Sequence, residues 1–368
     1  MEASQTNKGR ATASPFARPR RMKCSGRALV FWVLFWYAVV QVIPISLEHR
    51  WQRIGTANEA RKWPTLHRLV NRDPARPLLL MLGSSRTSHA FRAGCLDGMR
   101  DSDGRPLHVY NFGIPATGAI SHLFYLRDML AAGIRPRFVL VECLPPLLCE
   151  AQRGALTEEG MIGFESLGAR RLWQWMPYLN RPEKRAHAWL EARVAPWYTF
   201  RRQIQLELKC LAERKPFPTY QPVDDWGWTV STLAPFPAEE RARRLDIARG
   251  GYFAGLNRFH LGKKPTQAMR EILDLCRREN IPTALVVMPE SSEFRSWYSD
   301  EAKTQIHDLL QELSRTYDAP ILDANCWVAD EDFEDGHHPL LHGADVFTYR
   351  LAQELPRLLA RSKVAKSD

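Results

Sequence analysis

Short apolar runs recur along the chain and alternate with stretches of helical period. Residues 78–82 read LLLML, with no polar face at all, as a strand covered on both sides must be. LHVY (107–110), RFVLVEC (137–143), TALVVM (283–288) and the shorter APIL (319–322) repeat that pattern. Between them the apolar positions fall three and four apart. Ile120, Leu123, Leu126 and Leu130 mark a helix within 117–132, stopped by Gly133. Met269, Ile272, Leu273 and Cys276 mark another, opened by Pro265. Ile306, Leu309, Leu310 and Leu313 mark a third, and Phe347, Leu351, Leu355 and Leu358 a closing one. This alternation predicts an α/β fold: a central parallel sheet with helices on both faces, three layers α/β/α.

One segment breaks the rhythm. Residues 147–262 hold six of the twelve tryptophans (Trp173, Trp175, Trp189, Trp197, Trp226, Trp228) with much Arg and Pro. That is too long for a plain loop in a compact domain. It reads as a partly helical insertion in a domain over 77–361, preceded by a polar connector (48–76) and followed by a tail (362–368). Its aromatics suit ordinary packing, or a grip on a sugar or lipid face.

The amino-terminal region adds a membrane. Residues 28–47, ALVFWVLFWYAVVQVIPISL, carry no charge between Arg27 and Glu48. About 20 such residues suffice to cross a bilayer as a helix. The basic tail before them (1–27) has seven Lys/Arg against one Glu, six of the ten net positive charges of the chain. Positive charge on that flank keeps the tail in the cytoplasm and sends the rest to the periplasmic or extracellular side. The run is longer than the apolar region of a signal peptide, and no A-x-A site follows; a buried core helix is the third reading. The remaining body is only mildly basic and shows no nucleic-acid module, so nucleic acid is not an expected partner. None of the seven cysteines forms a C-x-x-C pair, which leaves zinc ribbons and dithiol redox motifs unsupported. No motif asks for a cofactor.

Open parallel sheets bind ligands beyond the carboxyl ends of their strands, and four such ends here are polar. Gly83-Ser84-Ser85 follows the first strand. A serine there could be a nucleophile, with helix amides facing an oxyanion; a capped turn needs the same residues. YNFGIPATG (110–118) brings the Gly113 N–H near a substrate, or simply turns the chain. FEDGHHPLLHGADVFT (333–348) lets Asp335 orient His338 as a base. The same stretch offers Asp335, His337, His338 and His342 as metal ligands, although zinc sites usually draw on more than one segment. MPESSEFRSWY (288–298) places Glu290, Ser291 and Arg295 at the same mouth as substrate contacts, or in a polar loop that starts a helix.

Taken in order, these blocks resemble the SGNH (GDSL-type) hydrolase superfamily. Gly83-Ser84-Ser85 matches its first block, Gly113 its second, and Asp335-x-x-His338 its fifth, over residues 77–145 and 264–360. The resemblance implies a flavodoxin-like fold, Ser85 as nucleophile, His338 as base, Asp335 as its orienting acid, and an oxyanion hole from the Ser85 and Gly113 amides. Two departures stand out. Block three normally reads G-x-N-D, and here reads VECLPPLL, leaving Asn111 as the substitute donor. The Asp of Gly-Asp-Ser is Ser84. Such departures, with the anchor, resemble the membrane-tethered branch of O-acyl and acetyltransferases, such as alginate O-acetylation proteins. The expectation is a membrane-anchored ester hydrolase or O-acyl/acetyltransferase. Its substrate would be a cell-envelope or extracellular polysaccharide, with a separate membrane protein delivering the acyl donor. Two other readings stay open: a catalytically inactive glycan-binding or scaffold subunit, favoured by the missing block-three asparagine, and a metal-dependent hydrolase using His337, His338 and His342.

Overall fold

Each apolar run forms a strand: β1 Leu78–Gly83, β2 His108–Gly113, β3 Phe138–Cys143, β4 Thr283–Val287 and β5 Ile321–Asp323. The computed structural model describes residues 26–38, 57–101, 103–152, 155–214, 222–229 and 235–364. All pairings are parallel, in the order β2-β1-β3-β4-β5. The four strands β1 to β4 are buried throughout, which is why no polar face shows in their sequence.

Alternation along the strands divides the core into two. Leu78, Leu80 and Leu82 point to one face and pack with the helices Ala119–Ala131, Lys263–Arg278 and Asp300–Tyr317. Leu79, Met81, Leu140 and Val286 point to the other and pack on Phe347, Leu351 and Leu355 of the closing helix, Leu341–Val364. Each fully buried Leu contributes about 1.5–3 kcal/mol, so a one-residue slip of β1 would exchange two complete hydrophobic faces.

The order of strands sets the place of the site. β1 lies between β2 and β3, with Gly83 opposite Gly113 and Leu82 opposite Val141. The chain leaves β1 toward β2 on one side and leaves β3 toward β4 on the other, so the crevice at the carboxyl ends of β1 and β3 is the switch point of a doubly wound fold.

The segment 147–262 leaves and returns at one spot. Cys149 bridges Leu261, and Gly262 N–H donates to the Leu148 carbonyl at 2.8 Å. Its ends therefore meet, and the sheet accommodates it undisturbed. Its described residues are mostly helical, including Ala169–Trp175, Pro182–Val194, Arg201–Ala212 and Ala238–Asn257. Trp175 is buried against Phe124 and Phe164, whereas Trp173 is exposed.

The stretch read as a polar connector contains the helix Ala57–Arg72, whose Leu66 and Leu69 join the core. Among the described residues no helix is long and apolar enough to cross a membrane. The expected span 28–47 is described only as a helix over 26–38, with its large apolar side chains exposed. Residues 39–47 and 1–25 lie outside the described residues. The six described cysteines are free thiols.

Candidate active site

The turn after β1 is dictated by close approach. A Cβ on Gly83 would lie 2.0 Å from Thr87 Oγ1 and 2.4 Å from Glu142 Oε2, so only glycine fits. Ser84 caps the short helix Ser85–Ala90, its hydroxyl accepting from the Arg86 N–H at 3.1 Å. Ser85 is then the first helical residue, half-buried at the carboxyl end of the sheet.

The loop before the closing helix meets it there. Ser85 Oγ is 2.7 Å from His338 Nε2, and His338 Nδ1 is 2.7 Å from Asp335 Oδ2. Since the carboxylate only accepts, the ring proton sits on Nδ1 and Nε2 accepts from the Ser85 hydroxyl. Asp335 Oδ1 also accepts from the His338 N–H at 2.9 Å and the His337 N–H at 3.2 Å. Burial alone would raise the Asp335 pKa. The neighbouring His338 and His337, with these hydrogen bonds, outweigh it and hold the carboxyl well below the usual range. The structure thus brings Ser85, His338 and Asp335 into one continuous chain.

Of the four residues of the rival metal reading, it brings together three and leaves His342 apart. Among the described residues the convergent ligand atoms are those of Asp335, His337 and His338, within 4.8 Å of one another. His342 is exposed and turned to Asp332 at 2.9 Å, which raises its pKa. Both His338 nitrogens are already taken by Ser85 and Asp335. His337 is enclosed by Tyr252, Phe294 and His338 at ring distances of 4.9, 5.1 and 4.1 Å. Burial first, and charge on His338 second, push its pKa well down, so it is neutral.

Of the three expected oxyanion donors, Gly113 and Asn111 are spent elsewhere. The Gly113 N–H donates to Asn111 Oδ1 at 2.8 Å. Asn111 is fully buried, and its Nδ2 donates to the carbonyls of Thr87 and Phe91 at 2.8 and 2.6 Å. Both carbonyls also accept a backbone N–H, from Phe91 and Ala93 at 3.0 and 3.1 Å, so Asn111 adds a further tie across the short helix and its cap. Gly113 is required for another purpose: a Cβ there would stand 2.4 Å from the Ser88 nitrogen. The Ser85 N–H, at the first helical position, has no acceptor within the helix.

Glu290, Ser291 and Arg295 form an underlayer rather than the mouth. Glu290 is buried against Arg86 and accepts from Tyr298 OH at 2.7 Å. Ser291 caps the helix Ser292–Ser296, and its N–H donates to the Gly336 carbonyl at 2.8 Å. Arg295 donates to the carbonyl of Glu290 and, at 3.4 Å, to that of Asn325. Together they steady the loop that carries Asp335.

Four residues escaped the sequence reading. Glu142, at the end of β3, accepts from Ser84 N–H at 2.5 Å, Ser84 Oγ at 2.9 Å and Thr87 Oγ1 at 2.7 Å. The signal was available: one acid inside an otherwise apolar strand. Lys62 reaches in from Ala57–Arg72, donating to the Gly113 carbonyl and, at 3.2 Å, to Ser88 Oγ. Its burial pushes its pKa well down, opposed in part by Asp224. Arg244, on the insertion helix Ala238–Asn257, pairs with Glu334 beside the catalytic-type loop. His89, the fourth, stands beside His338.

No family model matches the chain, and neither does any curated protein. Solved structures do show some likeness. A lipase/acylhydrolase from Enterococcus faecalis is 8% identical, covers 76% of this chain and 95% of its own, and has a TM-score of 0.35. Axe2, an acetyl-xylooligosaccharide esterase from Geobacillus Stearmophilus in mutant form, is 11% identical over 77% and 94%, with a TM-score of 0.31. A mutant of the esterase AlinE4 is 12% identical over 67% and 75%, at 0.27. Overlaps this loose assign no residue, and every role given below rests on the geometry above.

Proposed function

We propose that this chain is a serine ester hydrolase or O-acyl/acetyltransferase of the SGNH type that works through an acyl-enzyme on Ser85. The observation that carries the reading is the unbroken chain from Ser85 Oγ through His338 to Asp335, with both links at 2.7 Å. His338 takes the serine proton as Oγ attacks the acyl carbon, then returns it to the departing alcohol. Asp335 holds the ring in the working tautomer and offsets its charge. The Ser85 N–H faces the developing oxyanion. Deacylation runs the same route backward, with water or a second hydroxyl entering. The apolar run 28–47 and its basic flank support an anchored enzyme whose domain lies on the periplasmic or extracellular side. There an acylated polysaccharide is the proposed substrate, and a separate membrane protein the proposed source of acyl groups.

One observation favours a second reading. Gly113 and Asn111 are withdrawn from the oxyanion position, as they would be in a silent glycan-binding or scaffold subunit. Intact mass after fluorophosphonate treatment separates the two. A single adduct on wild type, absent from Ser85→Ala and His338→Ala, is the expected result. A folded wild type that takes up no reagent supports the silent subunit instead.

A further inference from the structure

Ser85 and His89 are four residues apart on one helix, so they share a face and their side chains are neighbours. The His89 ring stands edge-on to His338, with centroids 5.5 Å apart and planes at 75°. Its backbone is pinned from the insertion, the indole N–H of Trp228 donating to the His89 carbonyl at 2.8 Å. Yet among the described residues no hydrogen bond reaches its ring, and Nδ1 is closed off from solvent. A buried polar atom left unpaired costs about 1–3 kcal/mol, and native proteins keep few of them. Nδ1 is therefore out of a ligand's reach, and a ligand meets the ring at Nε2, which is not closed off.

The chemistry of the ring narrows the ligand. Burial, then charge on His338 and on Lys62, push His89 down to about 3, with Asp335 pulling the other way. A neutral imidazole has one donor and one acceptor nitrogen. It suits a hydroxyl, which can also do both; a carboxylate or phosphate calls for a cation. A neutral ring also leaves His338 free to gain its proton during the reaction without repulsion.

His338 marks where such a hydroxyl must stand. The alcohol that leaves in acylation and the one that enters in deacylation both exchange a proton with its Nε2, at one place. His89 borders that place. We infer that His89 forms an alcohol subsite, holding a sugar or polyol hydroxyl beside His338 so that acyl-Ser85 passes to it in preference to water. This rests on the acyl-enzyme reading above. In the step, the acceptor hydroxyl gives its proton to His338 Nε2 and its oxygen bonds to the acyl carbon. The bond from Ser85 Oγ to that carbon breaks, and Oγ takes the proton from His338. The products are the new ester and free Ser85.

The test is a partition ratio on the full chain, with p-nitrophenyl acetate as donor and methyl glucoside as acceptor. Acetate and acetylated glucoside are counted by mass spectrometry. The ratio is set after the acyl-enzyme has formed, so slower acylation or a partly unfolded sample does not move it. His89→Phe should lower the glucoside-to-acetate ratio about tenfold, and His89→Gln, which donates and accepts, should keep it within about threefold of wild type. His89→Leu carries the same expectation as His89→Phe where the larger ring does not fit. Equal ratios in wild type and the apolar variants overturn the inference. So does a wild type that makes acetate alone, and that outcome leaves the esterase reading standing. A wild type whose Ser85 takes up no fluorophosphonate overturns the acyl-enzyme itself, and the subsite with it.

Discussion

The two halves of the site are held from different directions. Around Ser85 the restraints come from beneath: Glu142, Asn111 and Lys62, all buried, bind the turn and the short helix at both ends. Around Asp335 and His338 much of the restraint comes from the rim. Arg244 pairs with Glu334, Arg241 donates to the Asp330 carbonyl, and Ser292 N–H donates to Asp330 at 2.8 Å. The Arg244 and Glu334 side chains are 32% and 22% exposed. Removing one partner of a buried charge leaves other groups unpaired and costs about 3–5 kcal/mol. An exposed ion pair is worth about 0–1 kcal/mol and weakens in salt. So the sheet fixes where the nucleophile stands, and the insertion tunes where the base stands.

The largest effect should erase the contrast altogether. Ser85→Ala and His338→Ala, one from each half, are expected to lower kcat alike, by about 10⁴-fold or more, in initial-rate assays of acyl turnover. The next separates the halves by stability. Glu142→Ala should cost about 3–5 kcal/mol in urea unfolding, because three donors lose their acceptor in the core. A change under about 1 kcal/mol would mean that the turn does not depend on this carboxylate.

Acid should then loosen both halves, one histidine in each. His337 and His89 have pKa values depressed in the fold, so the unfolded chain binds more protons and stability falls as pH drops below about 6.5. His89, pushed down to about 3, should contribute a loss of about 2 kcal/mol between pH 7 and pH 5, and His337 a loss of the same sign. Asp335, also depressed, adds stability that is present above about pH 4 and lost below it. Urea midpoints across pH for His337→Phe and His89→Phe should each show one share of that slope removed. The smallest effect sharpens the contrast at the rim. Arg244→Ala should cost at most about 1 kcal/mol and lower kcat a few-fold with KM unchanged. Its gap from wild type should close in about 1 M salt, where screening reaches only about 3 Å. A gap that persists there would place Arg244 in the buried class.

The sheet was legible because its strands are apolar on both faces and its helices keep their period. Ser85 and Asp335-x-x-His338 were legible as polar residues at strand ends on one edge of a parallel sheet, and their pairing was what the resemblance to the SGNH superfamily implies. What was not legible depends on where side chains turn at strand ends. Gly113 and Asn111 sit in the right block, but Asn111 folds back onto the helix carbonyls, and spacing does not carry that direction. Glu290, Ser291 and Arg295 have the polarity of a binding mouth and the hydrogen bonds of a foundation. Glu142 acts on residues 58 and 55 positions earlier, a distance no local pattern spans.

That last contact ties positions 84, 87 and 142 into a single unit of inheritance. With Ser84 and Thr87 as donors, Glu142 is tolerated; with an acid at 84, two carboxylates would face each other across the switch point. A lineage moving the acid from one strand end to the other must pass through a turn with two acids or with none. Those intermediates are expected to fold poorly, one by repulsion and the other by unpaired donors. Substitutions at these positions are therefore expected to travel together, and Ser84→Asp should be accepted far better with Glu142→Asn than alone.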